Sequence, residues 1–359
     1  MTRDKLSILV LGASYGLVLG LKASWSGHRV DFVCMPHEVD FINEGKASLK
    51  IPSKTTDHVL TLGAKDALHS PSGVAPCNVN PTEYDICILA MQEPQYSALE
   101  IADLIAQIAH VGLPIVSIMN MPLPPYLSGP LKIDLQHLAP AWHDTKIWSN
   151  LDPLRFSAAS PDPQATITSD AKGLVVRVNH AANIKASPFH DVKHQRILDT
   201  LSSSLEALRV SQDGILHEVG VRFVAHSHPL VAMAKWPMLI TGNFRCWTGT
   251  EAIAIADAVN NDRATSKAIY SWVASLCQKL AHDAGYANVP LVPFERYADA
   301  SCSLILPSSL ARGLNKGVTR VERVDRLIKG LALGHGMKND DLDDIIRRVD
   351  SALATNNAS

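Results

Sequence analysis

A chain of 359 residues, 47% hydrophobic and 19% charged, is long enough for two domains with proper cores. Its formal net charge of -2 gives no electrostatic reason to expect nucleic acid or an anionic membrane as a partner. No segment reaches the roughly 18 unbroken apolar residues that span a bilayer.

The opening residues, MTRDKLSILVLG, carry mixed charges before a short apolar run and lack the pattern of a secretory signal. Cysteines at 34, 77, 87, 246, 277 and 302 show no CxxC spacing, so neither a disulfide framework nor a metal site is expected. A cytoplasmic location follows.

In chain order, Leu6 to Gly12 reads as a buried strand, a continuous apolar run closed by glycine. Leu17 to Ser26 reads as a helix capped by Gly27, and His28 to Met35 as a second strand stopped by Pro36. A helix-like stretch from Glu38 to Glu44 ends at Gly45, before a short strand from Ser48 to Ile51. Asp85 to Ala90 is another buried strand, followed by an amphipathic helix from Ser97 to His110 and a strand from Pro114 to Met119. This alternation predicts an α/β fold, a doubly wound parallel sheet of Rossmann type.

Residues 121–190 are rich in Pro, Ser and Asn, with strands expected at Ala165 to Thr168 and Leu174 to Val178. Beyond them the periodicity is helical: His190 to Leu208, Phe223 to Phe244 around Pro237, Ala264 to Ala284, Val318 to Leu333 and Asp340 to Leu353. The final ATNNAS reads as a frayed tail. The division is therefore a dinucleotide-binding α/β domain over 1–185 and a helical domain over 186–359.

Gly12-Ala13-Ser14-Tyr15-Gly16-Leu17 joins the first strand to the first helix, where a pyrophosphate can meet unpaired N–H groups and the positive end of the helix dipole. The usual GxGxxG spacing is absent: Ser14 holds the middle glycine position, and Gly12, Gly16 and Gly20 form a GxxxGxxxG series. Such a series equally suits close packing of a helix on a sheet. The acidic residue expected about twenty positions on falls at Asp31, inside the second strand, while the strand end carries Cys34, Met35, Pro36 and His37. With no carboxylate there, the reading leans to NADP, with NAD as the alternative.

These pieces resemble the ketopantoate reductase family, whose helical domain is of the 6-phosphogluconate-dehydrogenase C-terminal type. The resemblance is carried by ILVLGASYGL, SGHRVDFV, EVDFINEGKASLKI, DICILAMQEPQYSA and IVSIMN, then by Lys235 with Asn243 eight residues on, Pro307-Ser308-Ser309, and Thr319 before a helix ending at His335-Gly336. It implies Lys235 as proton donor to the carbonyl being reduced and Asn120 beside the nicotinamide. Gly12, Ser14, Tyr15, Gly16, Gln92 and Gln95 would contact the cofactor, and Asn243 and Ser308 the substrate. The apolar context AMAKWPML suits a lysine whose pKa is lowered by desolvation.

One departure concerns the substrate. Where the family reads Thr-Glu-Ile-Asp, this chain reads Thr319-Arg320-Val321-Glu322, and an ungapped match puts Arg320 in the glutamate's place. Arg320, with Glu322 nearby, would then favour an anionic oxo or imino acid other than ketopantoate. The blander alternative is a solvated helix face through Arg320, Glu322, Arg323, Asp325 and Arg326.

His226-Ser227-His228-Pro229 supports a second reading, opine-dehydrogenase or imine-reductase chemistry with His228 as acid and Asp299 or Glu322 as its partner. A third is a non-catalytic dinucleotide-sensing protein. The leading expectation is an NAD(P)H-dependent reductase acting on a small oxo acid, with a homodimer implied by the resemblance alone.

Overall fold

The computed structural model describes residues 5–161 and 165–358, which form two compact units. The first comprises Met1–Met91, Gln95–Met119 and Lys146–Pro229, and the second Gln92–Pro94, Asn120–Thr145 and Leu230–Ser359. The break thus falls at Pro229 and not near 185, because the sheet of the first unit continues beyond that point.

Strands of the first unit begin with β1 (Ser7–Leu11), β2 (Arg29–Val33), β3 (Ala47–Pro52), β4 (Val59–Gly63) and β5 (Ser72–Val74). They continue with β6 (Ile86–Leu89), β7 (Ile115–Ser117), β8 (Phe156–Pro161), β9 (Ala165–Asp170) and β10 (Gly173–Val178). Last come β11 (Ala182–Ala186), β12 (Arg209–Gln212), β13 (Ile215–Glu218) and β14 (Val221–Ala225).

The main sheet runs β14-β11-β8-β7-β6-β1-β2-β5. Its six strands from β5 to β8 are mutually parallel, and β11 turns antiparallel against β8. This order places the reversal of chain direction across the sheet between β1 and β6, the switch point where ligands of doubly wound folds bind.

A smaller sheet, β4-β3-β10-β9, was not foreseen as a unit. It explains why the helix Gly16–Trp25 is buried from Gly16 through Ser24. Leu17, Val18 and Leu21 share one core with Ile8 and Val10 of the main sheet and with Leu49, Leu62 and Val176 of the smaller one. A helix covered on both sides must be apolar all round, and this one is, save for Lys22 and Ser24.

Both exceptions lie in the interior, at 2% and 0% exposure. Lys22 donates its Nζ proton to the Val221 carbonyl, and burial pushes its pKa down to about 8.

The expected helix Phe223 to Phe244 is instead two structures. Val221–Ala225 is β14, with Val221 and Phe223 buried in strand alternation and paired to β11. A helical run then occupies Val231–Phe244, opening in 3-10 geometry and widening to a π-helix over Leu239–Phe244. Pro237 lies at its centre, where it removes a backbone donor.

The helix expected from Val318 starts at Val324. Its entry is fixed by a bidentate ion pair, Arg323 Nε to Asp325 Oδ1 at 2.9 Å and Nη2 to Oδ2 at 2.8 Å. Arg323 and Asp325 are 8% and 0% exposed, so part of this charged run is interior, against the reading of a solvated face. The expected frayed tail is helical over its described residues: helix Asp340–Ala358 is tied by Asn356 to the Leu314 and Val318 carbonyls.

His28 is wholly buried, its Nδ1 accepting the Leu6 amide at 3.0 Å and its Nε2 lying 2.6 Å from Ser204 Oγ. Both ring nitrogens are engaged in the neutral form, and burial pushes the pKa from 6.5 down to about 4. Because the unfolded chain binds this proton more readily, stability is lost as pH falls from 6.5 toward 4. The loss amounts to about 3 kcal/mol. Thermal unfolding across that range should show this loss in the wild type and a flatter curve in His28→Asn, which keeps an acceptor for the Leu6 amide. Parallel curves would remove His28 as the source.

Candidate active site

The glycine turn sits at the C-terminal end of β1. Gly12 adopts φ +106°, and its N–H donates to the Val33 carbonyl at 2.8 Å. A Cβ there would stand 2.6 Å from Met91 Cγ and 3.1 Å from the Ala90 backbone, at the end of β6. Only a residue without a side chain lets the turn pass this close to the end of β6 at the switch point, where a dinucleotide's phosphates require close backbone approach. The residues present fit such a cofactor.

Gly16 and Gly20 do different work. Cβ atoms on them would meet Val10 Cγ1 at 2.7 Å and Phe32 Cζ at 2.3 Å, so these glycines let the helix lie against the sheet. Ser14 and Tyr15 are half-buried at the helix start.

The C-terminal end of β2 shows a residue the sequence did not single out. Glu38 lies in the first turn of helix Pro36–Asn43, and its Oε2 accepts the Met35 amide at 3.1 Å. Its carboxylate is thus folded back to the end of β2, close enough that its charge, after burial, helps push the Cys34 thiol up to about 12. The lean to NADP rested on there being no carboxylate at that strand end, and the helix cap supplies one.

The second unit contains a pocket assembled from residues far apart in sequence. Gln92, Asn120, Asn243 and Glu322 supply its polar wall, and Leu239, Phe244 and Val321 part of its apolar one. Four sequence-selected residues are brought together here.

Ser308 is not among the lining residues. It is 3% exposed, caps helix Ser309–Asn315 by accepting the Ala311 amide, and donates to the Asn243 carbonyl at 2.6 Å. Its role is to hold Asn243 in place. Arg320 is exposed and absent from the lining, whereas Glu322, two residues on, occupies it. The substitution of arginine for the glutamate inferred from an ungapped match does not carry into space.

Lys235 is half-buried and does not line the pocket; it lies one helical turn before Leu239, in the run that also presents Asn243. Gln95 is exposed and belongs to the first unit. His228 is also in the first unit, on the turn after β14, where its amide donates to His226 Nδ1 at 3.0 Å. Among the described residues, no cluster of His, Cys, Asp or Glu could hold a metal ion, and no helix is long and apolar enough to cross a membrane.

Glu322 is the group whose chemistry the pocket changes most. Burial, aided by the charge of Glu93, pushes its carboxyl up to about 7, while amide hydrogen bonds from Glu93 and Met121 oppose the rise. The Glu93 amide lies 3.3 Å from Glu322 Oε1.

No protein-family model matches this chain, and no curated protein matches it in sequence. Solved structures do. A PanE/ApbA-family ketopantoate reductase from Ralstonia eutropha JMP134 superposes with a TM-score of 0.64 at 14% identity, covering 98% of this chain and 100% of that one. D-mandelate dehydrogenase, in a ternary structure with NADH and anilino(oxo)acetate, gives the same four values. Dimeric ketopantoate reductase from Staphylococcus aureus gives 0.58 at 12% identity, over 98% of this chain and 100% of that one. The chain thus has the ketopantoate reductase fold from end to end, an α/β domain with a mostly parallel sheet and a helical C-terminal region.

Gly12→Ala should cost about 1–3 kcal/mol, since a Cβ is both strained and crowded there. It should also abolish quenching of protein fluorescence by NADH. Unchanged urea unfolding together with unchanged binding would show that the turn is no cradle.

Proposed function

We propose that this protein is an NAD(P)H-dependent reductase that converts the carbonyl of a small 2-oxo acid to an alcohol. The observation that carries the reading is the convergence of Gln92, Asn120, Asn243 and Glu322 on one pocket, in a chain whose glycine turn passes close against the end of β6 at the β1–β6 switch point.

A bound nicotinamide supplies the hydride. Lys235 donates the proton that the carbonyl oxygen gains as the alcohol forms. Asn120 and Asn243 orient the substrate by hydrogen bonds, and Ser308 fixes Asn243 from behind. Glu322 contacts the substrate's polar groups. His228 belongs to the first unit while the amide-lined pocket and Lys235 belong to the second, which favours the lysine as acid over the imine-reducing reading. By likeness to the dimeric Staphylococcus aureus enzyme, the working form is a homodimer. Six unpaired cysteines suit a reducing compartment.

For the cofactor, Glu38 favours NAD(H). A carboxylate at the end of β2 accepts from ribose hydroxyls and repels a 2′-phosphate, and residues 34–44 contain no Lys or Arg to hold that phosphate.

Lys235→Ala should lower kcat on a 2-oxo acid by about 10²–10⁴-fold while leaving the Kd for NADH unchanged. Intact turnover with loss of activity in His228→Ala would reverse the assignment of the acid. Fluorescence titration should show NADH bound more tightly than NADPH, and Glu38→Gln, which keeps the helix cap, should narrow that ratio about tenfold. A wild-type preference for NADPH would overturn the role given to Glu38.

A further inference from the structure

The helical run of the second unit widens to π-helical bonding over Leu239–Phe244, and this is the turn that meets the pocket. Along an α-helix, residues five apart point about 140° away from one another. Bonding from i to i+5 brings them back toward one side. Leu239, Asn243 and Phe244 all line the pocket, an arrangement that the wide turn permits and an α-turn opposes.

A π-turn is rare, and here it carries a local cost. Thr241 is buried, and its hydroxyl has no partner among the described residues, whereas a helical threonine ordinarily bonds a carbonyl one turn back. Two hydroxyls from outside the run bond the ends of the turn. Ser308 donates to the Asn243 carbonyl, as described above. Tyr297, on helix Phe294–Ser301, donates to the Met238 carbonyl at 3.1 Å. Tyr297 is 7% exposed, and its ring stacks on Tyr270 with centroids 5.6 Å apart. Burial raises the pKa of its phenol, which therefore stays a donor. Gly242 makes the space: a Cβ there would stand 2.2 Å from the Tyr297 hydroxyl oxygen. A side chain inserted against the backbone in this way opens the i→i+4 ladder.

We propose that Tyr297 is a positioning residue: its hydroxyl, seated against Gly242, holds the Leu239–Phe244 turn wide and so keeps Phe244 in the pocket wall. The consequence for specificity rests on the reading of the pocket as an oxo acid site. Leu239 and Asn243, four apart, share a face in either geometry. Phe244 does so only in the wide turn. Relaxation to an α-turn would therefore spare the amide that orients the substrate and remove the aromatic part of the wall. Substrates with a branched apolar tail lose a contact that short ones never reach.

The test compares full-length wild type and Tyr297→Phe by crystal structure and by steady-state kinetics on pyruvate and 2-oxo-4-methylpentanoate. In Tyr297→Phe, residues 239–244 should return to i→i+4 bonding and Phe244 should leave the wall. KM for 2-oxo-4-methylpentanoate should rise about tenfold, with KM for pyruvate and the Kd for NADH unchanged. A hydroxyl that served stability alone would lower Tm and leave the ratio of the two KM values where it was. Gly242→Ala, whose Cβ displaces the hydroxyl, should give the same turn and the same ratio, and it decides if Tyr297→Phe does not fold. An intact π-turn without the hydroxyl overturns the proposal whatever the enzyme reduces, and so does an unchanged ratio once the turn has relaxed. A relaxed turn in a protein whose wild type reduces no 2-oxo acid would uphold the positioning role and sink the reading of function.

Discussion

The first unit depends on how closely the helix Gly16–Trp25 lies against its sheet. Without side chains at Gly16 and Gly20, the helix settles onto Val10 and Phe32 at distances no Cβ would tolerate. That depth leaves room for a second layer, and the sheet β4-β3-β10-β9 covers the helix's outer face. A deep helix also starts deep, so its N-terminus opens directly beyond β1, and the turn at Gly12 must pass hard against Ala90 and Met91. The close passage of the turn against β6 is thus a by-product of helix–sheet packing. The price appears at Lys22, whose ammonium is drawn into the interior with the helix that carries it.

The second unit is organised by polar burial. Its segments 92–94 and 120–145 arrive from the α/β half of the sequence, and polar ties help to hold them: Glu93 to the His143 amide, Trp142 Nε1 to the Pro122 carbonyl, Glu322 to the Glu93 amide. Arg323, Asp325 and Asp350 anchor the following helix in the same way. Buried ionic groups contribute little net stability, but removing one partner is severe, because the other is left uncompensated. They serve here to fix where Asn120, Asn243 and Glu322 stand.

The sequence showed the parallel core plainly. β1 and β6 are nearly continuous apolar runs, and a strand buried on both faces leaves that signature and little else. β14 was misread because five residues of alternating burial are shorter than a helical window resolves, and the true helical run began six residues after it. The site was legible where one residue type at one spacing sufficed, as for Lys235 and Asn243. It was illegible where position in space departs from position in sequence. Arg320 and Glu322 exchange places because the segment before Val324 is irregular, not helical, so counting residues from Ser308 says nothing about direction. Glu38 escaped notice because a carboxylate was sought on the strand, whereas a helix cap carried it back from three residues further on. Glu93 had no motif at all, since its place is set by tertiary contacts such as that with the His143 amide.

An arginine in the pocket would have bound a substrate carboxylate by a fixed, bidentate positive charge, with affinity nearly independent of pH. With Arg320 outside the lining, the polar part of the wall is three amides, the Ser309 hydroxyl and one carboxyl, and among the described residues that line it there is no permanent cation. Such a wall recognises a carboxylate through neutral donors, which are weaker singly but impose direction. It also disfavours dianions, because each further negative charge meets only dipoles and an acid ready to lose its proton.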